Sequence, residues 1–123
     1  MPTRKDDEDD IEGFLPLPTA VFHVLVALAD RDRHGYSIMQ DVAARTDGKV
    51  RLSAGTLYSA VRRMLDQGLI AELRDSPDPS SEDERRRYYR LTKLGRDVAV
   101  AEARRVNEML TQARATGLIP RKL

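Results

Sequence analysis

The sequence predicts a mainly α-helical fold with one small β-hairpin and a long helix after it. Three observations predict this. Apolar residues recur at helical spacing in four separate segments. One segment only, from Leu69 to Leu91, turns towards period-two alternation and carries paired tyrosines. That segment is split by Ser76-Pro77-Asp78-Pro79-Ser80-Ser81, a run that favours a loop. The chain has 123 residues, 41% of them hydrophobic, which suits one modest core and one domain.

The elements follow in order. Residues 1–13 lack apolar periodicity and are expected to form a disordered acidic tail. A first helix is expected from about Pro18, since proline fits a first helical turn where its missing N–H has no partner. Ala20, Val21, Val24, Leu25 and Leu28 give its buried stripe, and Asp30 to His34 reads as a polar connection. A second helix starts between Gly35 and Ser37. Ser37 and Gln40 have the spacing of a capping box. Ile38, Val42 and Met39 point inward, and Asp47-Gly48 ends the helix. After an extended link, Lys49 to Leu52, a third helix runs from about Ser53 to Gln67. Leu57, Val61, Met64 and Leu65 form its stripe, and Gly68 stops it.

In the hairpin, Leu69, Ala71 and Leu73 alternate with Ile70, Glu72 and Arg74 in the first strand. Arg85 to Leu91 forms the second strand, with Tyr89 and Leu91 inward and Arg86, Tyr88 and Arg90 outward. Thr92 can cap a final helix from Lys93 to about Thr116, with Gly117 and Pro120 beyond it. The order is that of a winged helix-turn-helix followed by a long C-terminal dimerisation helix. The expected division is 1–13 tail, 14–92 winged helix, 93–117 dimerisation helix and 118–123 tail.

Several functions are excluded by what the chain lacks. There is no cysteine, hence no disulfide, thiolate metal site or cysteine nucleophile. His23 and His34 are too few for a histidine metal site. No phosphate-binding glycine loop or zinc-protease helix is present, so no enzyme activity, metal or cofactor is expected. The acidic run Asp6 to Asp10 is not a pre-organised cation site. The longest apolar stretch, Ala20 to Ala29, is shorter than the ~20 residues of a membrane span. The N-terminus does not read as a signal peptide. A cytoplasmic protein without membrane contact is expected.

Charge points towards nucleic acid. Residues 1–12 hold two basic and six acidic residues, a net −4; the chain total of +1 leaves +5 on the remainder. A helix-turn-helix places its second helix, here the third of the chain, in the major groove of duplex DNA, N-terminal end first. Ser53, Thr56, Tyr58, Ser59, Arg62 and Arg63 lie on or beside the face opposite its apolar stripe. Hydroxyls and helix-start N–H groups hold phosphates, and arginine reads guanine. Gly55 permits close backbone approach. Arg85, Arg86 and Arg87 sit where a wing meets a groove and displaces counterions. Glu82, Asp83 and Glu84 balance them in part. Tyr36, Lys49 and Arg51 complete the expected DNA-binding set. For Tyr36, phosphate contact and local packing both fit; His34 is read as structural. On the final helix, Leu94, Val98, Ala101, Val106, Met109, Leu110 and Ala113 form an apolar stripe larger than a three-helix unit easily covers. A homodimer would bury it.

These residues resemble a known family. Leu17-Pro18-Thr19, His34-Gly35-Tyr36-Ser37-Ile38, Gly55-Thr56-Leu57-Tyr58, the run Arg63 to Ile70, Arg87-Tyr88-Tyr89-Arg90-Leu91-Thr92 and Gly95 are similar to the PadR family of transcriptional regulators. The likeness spreads over residues 15–96; the final helix matches in position and length. The resemblance implies homodimeric repressors, less often activators, on inverted-repeat operators. It also implies a C-terminal helix at the dimer interface, DNA contact through the third helix and the wing, and the short-C-terminal type. Some members bind flat aromatic molecules at the dimer interface. This chain has no Trp and only Phe14 and Phe22 as Phe, so any small-molecule effector is unidentified. Two other classes stay open on the residues alone: a winged helix used for protein assembly, and an enzyme. A neutral recognition face would mark the first, and Arg62, Arg63 and the wing arginines oppose it.

Overall fold

The structure is a computed structural model that describes residues 10–73 and 87–120. Among the described residues four helices of eleven residues or more and three short strands follow one another. They are α1 (Thr19–Asp30), β1 (Arg33–His34), α2 (Gly35–Arg45), α3 (Ala54–Gln67), β2 (Ile70–Leu73), β3 (Tyr88–Leu91) and α4 (Lys93–Ala115). The sheet is antiparallel in the order β1-β3-β2. Residues 10–12 close one helical turn, and Ile11 packs on the core, although both lie in the expected tail. Residues 1–9 of that tail lie outside the described residues.

The core forms where the helical stripes meet. Val24 and Leu25 of α1, Ile38 of α2, Leu57 and Met64 of α3, Val98 of α4, and Leu69 between α3 and β2 are fully enclosed. Burying each such side chain contributes roughly 1.5–3 kcal/mol. α1 is the central element, packed against α2, α3, α4 and β3.

Local chemistry sets the boundaries. Pro18 occupies the position before α1. Ser53 caps α3, its Oγ accepting from Thr56 N–H at 3.1 Å. Gly68 closes α3 in the left-handed region, φ 77°. Thr92 caps α4, its Oγ1 accepting from Gly95 N–H at 3.0 Å and lying 2.7 Å from the Gly68 carbonyl and 2.9 Å from that of Leu69. A Cβ at Gly95 would overlap the Leu69 carbonyl oxygen, so α4 starts directly against the chain leaving α3.

Three expectations are corrected. The cap of α2 is His34, whose Nδ1 accepts from Ser37 N–H at 3.0 Å, rather than Ser37 with Gln40. The polar connection before it holds strand β1, where Arg33 faces Tyr89 and His34 faces Tyr88. In the hairpin, Leu69 and Ile70 are both buried, while Ala71 is exposed. Alternation fails there because Leu69 precedes the strand and turns inward from the end of α3. In β3 it holds for the described residues: Tyr89 is buried and Arg90 exposed.

Two charged side chains lock the helices together. Arg33 has little exposure; its guanidinium donates to the Ala27 carbonyl at 2.9 Å, Ser37 Oγ at 3.2 Å, Asp30 at 2.9 Å and Asp41 at 3.0 Å. It thereby fixes the end of α1 to α2. Glu102, 2% exposed, accepts from Leu17 N–H at 2.8 Å and from Arg105 Nε.

Candidate nucleic-acid interface

Helical geometry sorts the side chains of α3. Leu57, Ala60, Val61 and Met64 enter the core. At 100° per residue the opposite stripe is Gly55, Ser59, Arg62 and Asp66, all exposed. Arg62 therefore points straight away from the core. Asp66 ends the stripe with a carboxylate that the sequence reading did not single out, so the positive part of this face is confined to the turns before it.

Arg63 is turned to one flank. With Thr56 and Ser59 it lines the cleft between α3 and Pro18 at the start of α1, and it reaches a second cleft beside Phe14 and Leu17. It is not grouped with Arg62. Tyr58 occupies the other flank. A Cβ at Gly35 would overlap its hydroxyl, so its ring lies on the first turn of α2. Tyr58 and Tyr36 remain 49% and 53% exposed. His34 meets Tyr88 edge-on, ring centroids 5.3 Å apart, which ties the start of α2 to the loop end of the β2–β3 pair.

The other expected contacts vary in availability. The Ser53 and Thr56 hydroxyls lie 3.0 Å apart within the cap of α3. Lys49 is exposed in the link. Arg51 folds over Gly48, whose φ of 78° and missing side chain leave room for the guanidinium. Arg87 is exposed but pairs with Glu72 of β2 at 3.2 Å. Arg85 and Arg86 lie outside the described residues. Arg90 is held by Asp32 at 2.8 Å, bracing β3 against the turn after α1.

On α4 the expected dimer stripe divides. Val98 is completely enclosed by its own chain, which corrects its assignment to the interface; Leu94 also packs on that core. Ala101 lines a groove of about 800 Å³ with Val100, Arg104 and Arg105 on one side and Ile11 and Leu15 on the other. Val106, Leu110 and Ala113 are half-buried, and Met109 is 53% exposed. Glu102 lies between the two groups, missed because it reads as an ordinary surface carboxylate. The available signal was a charge at a position that continues the inward row Leu94, Val98. The hydrogen bond from Arg105 holds its carboxyl below the usual carboxylate range, against the opposing effect of burial.

Among the described residues no helix is long and apolar enough to cross a membrane, and no three His, Cys, Asp or Glu side chains are grouped to hold a metal ion.

Comparison with known proteins places this geometry. The family model described as the transcriptional regulator PadR-like family matches residues 24–101. A relative from Lysinibacillus sphaericus, itself uncharacterized, is 32% identical over 74 residues; these are 59% of this chain and 64% of that protein. The chain thus spans under two thirds of that relative. A transcriptional regulator from Clostridium thermocellum shares the fold with a TM-score of 0.66 at 24% identity, over 90% of this chain and 96% of the other. A PadR family transcription regulator from hypervirulent Clostridium difficile gives 0.67 at 24% identity, over 80% and 98%. BldR, a transcriptional regulator from Sulfolobus solfataricus, gives 0.65 at 19% identity, over 96% and 74%.

Proposed function

The chain belongs to the PadR-like family of transcriptional regulators, and from that premise we propose that it is a repressor that binds an inverted-repeat operator as a homodimer. Such regulators are not enzymes. DNA-binding regulation follows from the family; the division of labour below is inferred from this chain's own residues.

The observation that carries the proposal is the outward stripe of α3. Gly55, Ser59 and Arg62 face away from the core, on a helix anchored along its whole opposite side. Gly55 and Ser59 present little bulk, so the helix can sit deep in a major groove. Arg62 then reaches a base edge, where a bidentate guanine contact is the strongest single reader. Arg63, turned towards the start of α1, is assigned to phosphate with Thr56 and Ser53. Lys49, Arg51 and Tyr36 flank the groove, and Arg85, Arg86 and Arg87 carry the wing to the adjacent backbone or minor groove.

Dimerisation is assigned to the part of α4 that its own core leaves uncovered: Ala101, Val106, Met109, Leu110 and Ala113, with Val100 from the groove. Arg104 and Arg105 stand in that groove with Asp97 and Glu108. A two-fold interface sets each patch against its own copy, so a mixed-charge groove can pair with itself. A dimer occupying a promoter excludes polymerase, which is the repressor role assigned here.

Mapping the DNA bound by the protein in its native host tests the proposal. The expected result is enrichment of an inverted repeat at promoters, with transcription of the adjacent genes rising when the protein is removed. Bound DNA without a shared sequence would overturn it.

A further inference from the structure

α4 is attached to the rest of the chain by one end only. Its buried residues are Gly95, Val98 and Glu102. The thirteen residues after Glu102 extend for about 20 Å without another enclosed side chain. Glu102 is thus the last enclosed side chain of α4, and the larger part of the surface assigned to the dimer, Val106 to Ala113, lies beyond it. It is also the one buried charged side chain among the described residues.

Its partners lie on both sides of the joint. Oε2 accepts from the backbone N–H of Leu17, two residues before α1, at 2.8 Å. The other oxygen accepts from Arg105 Nε, one turn along the exposed part of α4. α1 is the helix that carries α2 and α3. One carboxylate therefore connects the frame of the DNA-facing helix to the free arm of the dimerisation helix.

We propose that Glu102 is a positioning residue that fixes the angle between the winged helix and the dimer arm, and so the distance between the two recognition helices. The inference rests on the dimeric, inverted-repeat reading given above. A carboxylate suits the task better than an apolar residue. Apolar packing tolerates sliding and rotation, whereas the hydrogen bond from the Leu17 backbone N–H pins one point of α4 to the entry of α1, and the Arg105 bond, made within α4, holds the carboxylate in the orientation that accepts it. The lever is long: a rotation of about 10° at Glu102 moves the tip of α4 by roughly 3.5 Å over that length. That is close to the ~3.4 Å rise of one base pair.

Purely structural burial makes a different forecast. Glu102→Leu takes the acceptor from the Leu17 N–H and from Arg105, so it is expected to lower the melting temperature. A purely structural role predicts that loss with the spacing preference unchanged, whereas a positioning role predicts that the preference is lost as well.

The test uses the full chain and a duplex recovered by selection from a random pool. Its half-site separation is then varied by one and two base pairs in each direction. Wild type is expected to lose at least about tenfold in affinity one base pair from the optimum. Glu102→Leu should flatten that profile to within about threefold while single half-site binding and dimer mass stay as in wild type. Glu102→Gln keeps an acceptor for Leu17 N–H and should restore the peak. If Glu102→Leu does not fold, Glu102→Asp carries the test: one methylene shorter, it falls short of the Leu17 N–H, and it should broaden the profile. A wild-type spacing profile in the folded Leu variant, or failing that in the Asp variant, overturns the role of Glu102 and leaves the dimer reading intact. A monomeric wild type overturns both.

Discussion

Gly95→Ala sets two effects of opposite sign against each other. Gly95 lies in the first turn of α4. Helix propensity alone favours alanine by about 1 kcal/mol. Steric contact opposes it: the added methyl would overlap the Leu69 carbonyl oxygen and crowd Leu91. That oxygen cannot yield freely. It accepts from Thr92 N–H at 3.1 Å and lies 2.9 Å from Thr92 Oγ1, the group that caps α4. Overpacking of this kind costs about 1–3 kcal/mol, and a disturbed cap adds about 1 kcal/mol. The net expectation is a loss of about 1–3 kcal/mol, or roughly 4–12 °C in melting temperature for a domain of this size. Thermal unfolding at one fixed protein concentration measures it, since dimer melting depends on concentration. Gly68→Ala is the control. Gly68 has φ 77° and nothing within 4 Å of an added Cβ, so it pays only the left-handed conformation, roughly 1–2 kcal/mol. A melting temperature for Gly95→Ala at or above wild type would refute the close approach of α4 to the end of α3.

Arg62→Ala should change the preferred sequence, at about 1–3 kcal/mol for the base pair it reads, in competitive binding to single-base variants of the operator. Arg63→Ala should weaken all duplexes alike and lower the salt slope by about one; a changed preference would return Arg63 to the base-reading set. Met109→Glu and Leu110→Glu should weaken dimerisation and DNA binding together, read by light scattering and titration; an intact dimer in both would move the interface off α4. Removing residues 1–9, with two basic and four acidic side chains, should tighten binding to random duplex more than to operator at low salt. A tethered anionic segment competes at about millimolar effective concentration and is screened as salt rises. Equal affinities at low salt would leave the tail without a part in DNA competition.

Features written in local chemistry were legible in the sequence. Ser53 and Thr92 have hydroxyls that cap helices, and Gly68 supplies the left-handed stop. The stripes of α1, α2 and α3 enter the core as helical spacing implies. What depends on distant partners was not legible. The His34 cap was hidden because histidine rarely caps a helix. β1 is two residues long and exists only through its pairing with Tyr88 and Tyr89. Arg33 and Glu102 read as surface charges until folding surrounds them with donors and acceptors. Helical spacing also cannot say whether an apolar residue of α4 faces its own core or a second copy. Val98 belongs to the core, whereas Met109 stays exposed. In α3, the same count of basic residues conceals two directions, Arg62 outward and Arg63 towards α1.

The central claim is that two copies of this chain read one operator together. The mass of the complex on a duplex recovered from a random pool, measured by light scattering at near-physiological salt, tests it most directly. Two chains per duplex, with protected half-sites about one helical turn apart, are expected. One chain per duplex, or a pool that yields no preferred sequence, would contradict it.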